Sequence, residues 1–188
     1  SWSVMIRKPS DLGYSDEGFT LPPLHMHEQC VSVSAPTTGF LFAVEAQTLQ
    51  ERQQARRDSI EDRVRACAEI VNASDKPFLV WCNLNAESEA LAAAIPGAVE
   101  VQGSDTDDHK EKAIAGFLDG SIRVIVSKPK IIGLGLNFQH CADMAYVGLS
   151  DSYEQLYQSI RRCWRFGQTK PVNVHVITAE TEGAVVSN

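Results

Sequence analysis

The sequence predicts an α/β fold, in which a mostly parallel sheet is flanked by helices and preceded by an irregular and helical N-terminal extension. From residue 78 onward, short runs rich in Val, Ile and aromatic residues alternate with longer helical stretches. Apolar residues make up 44% of the 188 residues, which is enough to bury a sizeable core. Disorder is therefore excluded as the main state of the chain.

The N-terminal extension divides into two parts. Residues 1–40 are interrupted by Pro and Gly, which is typical of an irregular segment with strand fragments. Over 46–72, Gln, Arg, Glu and Ala dominate, and apolar residues recur at helical spacing in the second half, so we expect one long helix or two, ending before Pro77. Three possible metal ligands of the irregular segment lack a fourth partner, and we expect no metal site from them: His25, His27 and Cys30.

The alternation beyond residue 78 predicts five strands and four helices. The strands are 78–82, 98–101, 122–126, 144–149 and 172–177, and the helices are 87–95, 108–118, roughly 131–139, and 152–165. Sheets of this kind bind ligands at the carboxyl ends of their strands. We therefore expect the chemistry in the loops after Cys82, Val101, Val126 and Leu149.

Charge is distributed unevenly along the chain. The total is −7, from 17 Lys and Arg against 24 Asp and Glu, which on its own argues against diffuse attraction to phosphates. Residues 121–170, however, contain seven basic and three acidic residues, a net charge of +4. A local phosphate-binding surface is therefore compatible with an acidic total, and a solvated charged surface is the alternative.

The predicted helix 152–165 carries the most informative pattern. Ser152 and Gln155 have the spacing of a capping box, and Gly167 is placed to end the helix. Apolar and aromatic residues three and four apart predict its buried face: Tyr153, Leu156, Tyr157, Ile160 and Trp164.

Two arginines lie near the C-terminal end of this helix. Arg162 and Arg165 are three residues apart and are expected to point the same way, where the helix dipole also favours cations. Guanidinium groups suit phosphate oxygens, because the planar fork is always charged and bonds bidentately. Compensation of the helix dipole without any ligand is the alternative.

A second group of candidate residues follows the strand 122–126. It consists of Ser127, Lys128 and Lys130, then Gly133, Gly135 and Asn137. Paired glycines let the backbone approach a ligand closely, and the lysines and serine supply donors for phosphates. The pattern is neither the dinucleotide fingerprint nor a Walker A loop, since no G-x4-G-K-[ST] occurs in the chain.

In order and spacing, residues 78–177 resemble the second RecA-like domain, the helicase C-terminal domain, of superfamily 2 DEAD/DEAH-type helicases and translocases, closest to the Swi/Snf-like branch and its phage or prophage members. The run 78–83 is similar to motif IV, Gly103 and Ser104 to the short motif after the next strand, 127–139 to motif V, and 158–168 to motif VI, commonly Q-x-I-G-R-x-x-R-x-G-Q. The departures are Arg161 for Gly, Ile131 and Ile132 for small residues, and Lys110 for Arg.

The resemblance implies a motor of two RecA-like lobes, with ATP in the cleft between them and nucleic acid running across both. Arg162 and Arg165 would be arginine fingers, and Gln158 would link the nucleotide to the motif V loop. The implied nucleotide contacts are Gly133, Gly135 and Asn137. The implied nucleic-acid contacts are Ser127, Lys128, Lys130, Gly103 and Ser104.

In such a motor, ATP and Mg²⁺ are bound mainly by the first lobe, whose Walker A lysine and acidic motif do not occur in this sequence. We therefore expect no cofactor on this chain alone, and no ATP hydrolysis by it. The missing initiator Met suggests a piece of a longer protein. In that protein 1–74 would be the inter-lobe connection and packing helix, and 75–188 the RecA-like domain.

The expected partners are DNA, with RNA less favoured, and the N-terminal RecA-like lobe of the same polypeptide. Five cysteines without a CxxC pair, and the lack of a signal-peptide pattern or long apolar run, predict a reduced protein in the cytoplasm, with no membrane partner. The resemblance to phage or prophage members implies that the cell is bacterial or phage-infected.

Two other functions remain open from the residues alone. One is a non-catalytic nucleic-acid-binding or scaffolding module that retains the fold. The other is a small-molecule α/β enzyme that uses the glycine-rich loop, although the acidic ribose-binding residue it requires is offset at Asp151.

Overall fold

The computed structural model describes residues 9–15, 20–33, 49–132, 136–148 and 153–180. Six strands form one sheet in the order β1-β6-β5-β2-β4-β3, and every neighbouring pair is parallel. The strands are β1 (Leu24–Val31), β2 (Phe78–Cys82), β3 (Ala98–Val101), β4 (Val124–Ser127), β5 (Asp143–Val147) and β6 (Val172–Ala179). The predicted α/β class is confirmed.

Six α-helices and one short 3₁₀ turn (Pro9–Leu12) lie within the described ranges. The helices are α1 (Leu49–Asp58), α2 (Ile60–Asn72), α3 (Asn85–Ala94), α4 (Asp107–Asp119), α5 (Pro129–Ile132) and α6 (Tyr153–Ile160). None of them is long and apolar enough to cross a membrane. The expected helical region 46–72 therefore contains two helices. They meet at Ser59, whose buried hydroxyl donates to Ala55 O at 2.8 Å, a backward bond that often bends a helix.

The core consists of two apolar layers, one on each face of the sheet. Alternate residues of β2 show the division: Leu79 and Trp81 face the layer that contains Phe117 of α4, whereas Val80 packs with Cys67 of α2 on the other face. Because both faces are covered, the central strands are continuous apolar runs, and this is why the sequence predicts them well.

Strand β1 forms one edge of the sheet, paired with β6 from Leu24↔Val172 to Val31↔Ala179. It lies in the segment that the sequence analysis describes as irregular. Most of its side chains are exposed, so it lacks the apolar alternation that reveals a half-buried strand. The sheet thus uses residues on both sides of the predicted division at residue 74, and the role of 1–74 as an inter-lobe connection stays a prediction.

Candidate functional site

The carboxyl edge of the sheet brings together two of the predicted loops. Lys128, directly after β4, donates from Nζ to Oδ1 of Asn85 at 2.5 Å, and Asn85 is the first residue of α3. Lys130, on α5, is exposed. This hydrogen bond connects the loop after β4 to the start of α3, which follows β2. The ammonium groups of Lys128 and Lys130 are two residues apart in sequence.

Ser127 differs from its neighbours, because its side chain points inward. It is 1% exposed, and its hydroxyl donates to Val101 O at 2.7 Å, which ties the end of β4 to the end of β3. Ser127 is the last residue of a buried strand, and its hydroxyl therefore needs a hydrogen-bond partner inside the protein. In this chain the Ser127 hydroxyl positions the loop, and the expected contact of Ser127 with nucleic acid stays a prediction.

The loop after β3 lies beside the same edge. Gly103 and Ser104 are exposed, and Lys110 of α4 donates from Nζ to Gly103 O at 3.0 Å. A Cβ placed on Gly103 would lie 3.9 Å from Cδ1 of Ile131, on α5. The structure therefore brings Gly103 close to α5, which carries Lys130, and the contacts of Gly103 and Ser104 with nucleic acid stay predictions.

A cavity of about 380 Å³ lies between α5 and α6. Its polar lining includes Lys130, Gln158 and Arg162, together with Glu154. Burial and, second, the positive charge of Arg165 lower the pKa of the Arg162 guanidinium. Arg162 Nε is buried without a hydrogen-bond partner in the part of the chain that the structure describes. Two guanidinium groups therefore lie close to each other without full compensation, an arrangement that an anion would stabilise.

These arginines lie on a turn and not in the last turn of the helix. Helix α6 ends at Ile160, five residues earlier than predicted, and Cys163 N and Trp164 N both bond to Ile160 O. The predicted helical placement of Arg162 and Arg165 is therefore wrong, although their proximity is found.

The turn that carries the two arginines is fixed to the end of the motif V segment. Phe138 N donates to Arg162 O at 3.0 Å. The buried Gln168 donates from Nε2 to Gln139 O, Cys141 O and Cys163 O at 2.9–3.2 Å, and its Oε1 accepts from the next two backbone N–H groups. Gln168 is thus a positioning residue, which the sequence analysis placed in motif VI without a role.

Gly167 makes this close contact possible. Its φ is +91°, and a Cβ there would lie 2.8 Å from Nε2 of Gln139. Gly167 does not end the helix as the sequence predicts. It instead lets the turn after α6 approach Gln139 closely.

One predicted core residue of α6 faces solvent. Tyr157 is 43% exposed, whereas Ile160 is buried. The Arg161 guanidinium carbon lies 6.0 Å from the Tyr157 ring centroid and 5.4 Å from that of Trp164. Trp164 is partly buried and donates from Nε1 to Pro22 O at 2.8 Å. Tyr157 therefore lies beside Arg161 at the surface of α6, and its predicted place on the buried face is wrong.

Several predicted residues lie outside the described ranges, namely Gly133, Gly135 and Ser152. Asn137 is described and exposed, next to the Phe138 that bonds to Arg162. The nucleotide contacts of these loop residues stay predictions.

The sequence analysis missed a buried ion pair beneath this edge. Arg63 of α2 and Glu87 of α3 are both 0% exposed, with Nη1 and Oε1 2.7 Å apart. Glu87 Oε2 also accepts from the N–H groups of Asn83 and Leu84, at 2.8 and 3.0 Å, and Asn83 Nδ2 donates to Gly148 O at 2.7 Å. The pair therefore holds the loop after β2 against the end of β5. Its sequence signal is a charged residue, Arg63, in the apolar phase of a helix.

The three residues considered for a metal do not converge. His25 and His27 lie on one face of β1 and Cys30 on the other, because strand residues alternate. His27 stacks on His175 at 4.8 Å. Across the described ranges, no three His, Cys, Asp or Glu side chains are grouped to hold a metal ion.

The parallel strand order, with its cation-bearing carboxyl edge, places this chain in the class of RecA-like domains. Within that class, the chain belongs to the helicase conserved C-terminal domain family, whose model matches residues 50–167. The resemblance to the C-terminal RecA-like domain of superfamily 2 helicases is thereby confirmed. No curated protein sequence matches the chain significantly.

Solved structures share the fold at low sequence identity. The C-terminal part of the Fun30 ATPase domain is 13% identical with a TM-score of 0.66, covering 88% of this chain and 89% of that one. A DEAD box protein from the hyperthermophile Methanococcus jannaschii is 19% identical (TM-score 0.57; 67% of this chain). The RNA-helicase Prp28 from Chaetomium thermophilum, bound to ADP, is 17% identical (TM-score 0.60; 88% of this chain). The matches cover only 35% of each of the last two chains.

Proposed function

We propose that this chain is the second motor lobe of an ATP-dependent DNA helicase or translocase. One observation carries the proposal: Arg162, whose pKa is lowered by burial and by the charge of Arg165, lines a cavity of about 380 Å³ together with Gln158 and Lys130. A pair of partly desolvated guanidinium groups is suited to a phosphoryl group that gains negative charge in the transition state.

In this proposal, Arg162 and Arg165 act as fingers on ATP bound mainly, with Mg²⁺, by a first lobe of the same polypeptide. Arginine fingers contribute roughly 10³–10⁵ in rate in related nucleotide hydrolases. Gln168 and the Phe138 N–H hold the turn so that both guanidinium groups are positioned before the substrate arrives. Gln158 links the bound nucleotide to motif V, whose proposed nucleotide contacts are Gly133, Gly135 and Asn137.

The nucleic-acid track of this lobe consists of Lys128, Lys130 and the loop of Gly103 and Ser104. Contacts of this kind fall on the phosphate backbone, so binding is independent of base sequence and weakens with salt. The overall resemblance of residues 78–177 to the Swi/Snf-like branch and its phage or prophage members is our basis for proposing DNA over RNA and a phage or prophage type of parent. We place that parent in the cytoplasm of a bacterial or phage-infected cell.

The finger role is tested in the intact two-lobe protein by Arg165→Ala. We expect the turnover number for ATP to fall by about 10³, with ATP binding largely retained, because the first lobe holds the nucleotide. The matched control is Arg57→Ala, because Arg57 is an exposed arginine of α1, away from the proposed site. Unchanged turnover in Arg165→Ala would remove this residue from the finger role.

The same experiment separates the motor from a non-catalytic nucleic-acid-binding module. A parent that binds DNA but has no ATP turnover in its unmodified form would establish the module. This chain by itself is expected to hydrolyse no ATP, and DNA-stimulated hydrolysis by it alone would contradict the proposed division of the site. Competition between DNA and RNA oligonucleotides of one sequence decides the preferred nucleic acid.

A further inference from the structure

A second cavity, of about 370 Å³, lies at the amino edge of the sheet, on the side opposite to the proposed motor site. Its lining comes from the segments that begin three neighbouring strands, β2, β5 and β6. The volume is within the range of small-molecule sites, and the polar side chains reach it from all three segments. Nothing in the proposed motor function uses this cavity.

A buried carboxylate lines the cavity. Asp143, the first residue of β5, is 7% exposed. Its Oδ1 accepts a hydrogen bond from Asn173 Nδ2 at 3.1 Å, and Asn173 Oδ1 in turn lies 3.3 Å from Nε2 of His27. An ionised carboxylate has about four acceptor sites. The bond from Asn173 occupies one of these sites, so the Asp143 carboxylate can still accept hydrogen bonds from a ligand.

Two ammonium groups flank the same cavity. Lys76 precedes β2 and Lys170 precedes β6, and neither forms an ion pair within the described ranges. Burial, and to a lesser extent the charge of Lys170, lower the pKa of His140. His140 also lines the cavity, with its ring edge-on to Phe117 at 4.7 Å.

The cavity therefore combines cations at its mouth with acceptors in its wall. A simple anion satisfies only the first, since its oxygens would meet the lone pairs of Asp143. A neutral polyol satisfies only the second. A ligand with a phosphate at one end and hydroxyl donors at the other satisfies both.

We propose that this cavity binds a phosphorylated sugar. Lys76 and Lys170 donate to the phosphate oxygens, and a sugar hydroxyl donates to the Asp143 carboxylate. The volume of about 370 Å³ holds a pentose phosphate, whereas inorganic phosphate leaves most of it to water. The shared chemistry occurs in free sugar phosphates and in the 5′-phosphorylated end of a nucleic acid.

The test is isothermal titration calorimetry of the full chain with ribose 5-phosphate, ribose and inorganic phosphate. We expect ribose 5-phosphate to bind at least about tenfold more tightly than either of the others, since each supplies only half of the contacts. Lys170→Ala should weaken ribose 5-phosphate and inorganic phosphate alike. Asp143→Asn should weaken ribose 5-phosphate about tenfold and leave inorganic phosphate unchanged or tighter, because a negative charge is removed.

Lys112→Ala is the matched control, because Lys112 is exposed on α4 and is paired with Asp108 at 2.7 Å, away from the cavity. Circular dichroism of each variant separates loss of fold from loss of binding. If Asp143→Asn does not fold, the unmodified chain still tests the proposal, through the ratio of its affinity for ribose 5-phosphate to its affinity for inorganic phosphate. Equal affinities overturn the proposal, and so does the absence of binding, at millimolar concentration, of both ribose 5-phosphate and a 5′-phosphorylated oligonucleotide end.

A 5′-phosphorylated oligonucleotide and its unphosphorylated form distinguish the two sources. Binding of free ribose 5-phosphate that depends on Asp143 assigns a small-molecule site. Binding of the phosphorylated oligonucleotide alone, again lost in Asp143→Asn, assigns the same chemistry to a nucleic-acid end. Both oligonucleotides can also bind along the proposed carboxyl-edge track, so the measured quantity is the ratio of the two affinities. A ratio of one, unchanged in Asp143→Asn, together with no binding of ribose 5-phosphate, contradicts the proposal.

Discussion

The two edges of this sheet present cations in different ways. At the carboxyl edge, Lys128 and Lys130 follow a strand, and Arg162 is held by backbone bonds on a turn, with its guanidinium group partly desolvated. At the amino edge, the exposed Lys76 and Lys170 line the same cavity as a buried carboxylate, Asp143. The first arrangement suits a polyanion or a triphosphate, because positive charge dominates. The second suits a small ligand that is both anion and hydrogen-bond donor.

The edges also differ in how they are supported from below. The carboxyl edge rests on the Arg63 and Glu87 ion pair, which is fully buried and bonded to the loop after β2. A Cβ on Gly148, whose φ is +76°, would lie 2.7 Å from Nη1 of Arg63, so the end of β5 is packed directly against the pair. At the amino edge, Asn173 and the histidines of β1 and β6 take this supporting position, in a partly exposed setting.

Of the substitutions that test this difference between the two edges, Glu87→Ala should have the largest effect, and that effect is on stability. Removing the carboxylate leaves the Arg63 charge buried and unpaired, and should lower the free energy of unfolding by about 3–5 kcal/mol. Chemical denaturation measures this loss. The exposed Glu89→Ala on the same helix should cost little. A double substitution, Arg63→Met with Glu87→Leu, should recover most of the stability, and failure to do so would mean that the loop, and not the charge, needs the pair.

The next effect is on the salt dependence of DNA binding. Each of Lys128→Ala and Lys130→Ala should reduce the slope of log affinity against log salt by about one unit, because one phosphate contact is lost. Lys170→Ala, at the amino edge, should leave the slope unchanged. Fluorescence anisotropy at several salt concentrations measures all three. Equal losses at both edges would show that the nucleic acid is not confined to the carboxyl edge.

The smallest effect should be a dependence of stability on pH that arises at the amino edge. Burial lowers the pKa of both His140 and His175 in the folded chain, below the ordinary value of 6.5. Below pH 6.5 the unfolded chain therefore takes up protons that the folded chain does not, and stability falls as pH falls through this region. The double variant with His140→Gln and His175→Gln should flatten the dependence between pH 7 and 5.5. The exposed His109→Gln should not, and a flat profile in the unmodified chain would contradict the prediction.

The strands β2 to β6 were predicted from the sequence closely. Strands β2 and β3 match their predicted bounds, and β4, β5 and β6 differ by one or two residues at their ends. Continuous apolar runs between turn residues determine the central strands locally, and the half-buried edge strand β3 is bounded by Gly97 and Gly103. Two other elements were predicted less well: β1 is too exposed to show a pattern, and α6 ends early because the following turn bonds to the distant Phe138 and Gln139.

The candidate site shows the same division. Residue type singled out Arg162, Arg165, Lys128 and Lys130 as candidates, because phosphate groups bind cations, and their order along the chain matched the helicase motifs. The inward direction of Ser127 depends on its bond to Val101, 26 residues away, and no local pattern records such a partner. Arg63 and Glu87 are 24 residues apart and become a pair only when α2 and α3 pack on the same face.

The sequence by itself determined the alternation of strands and helices, the order of the motifs and the choice of cations, because these follow from side-chain chemistry and from spacing along the chain. Only the tertiary structure decided which hydroxyl points inward, where the arginine turn is anchored, and that Lys76, Asp143 and Lys170 surround one cavity. The physical reason is that parallel strands join residues far apart in sequence at a common edge, so a partner is set by packing and not by distance along the chain.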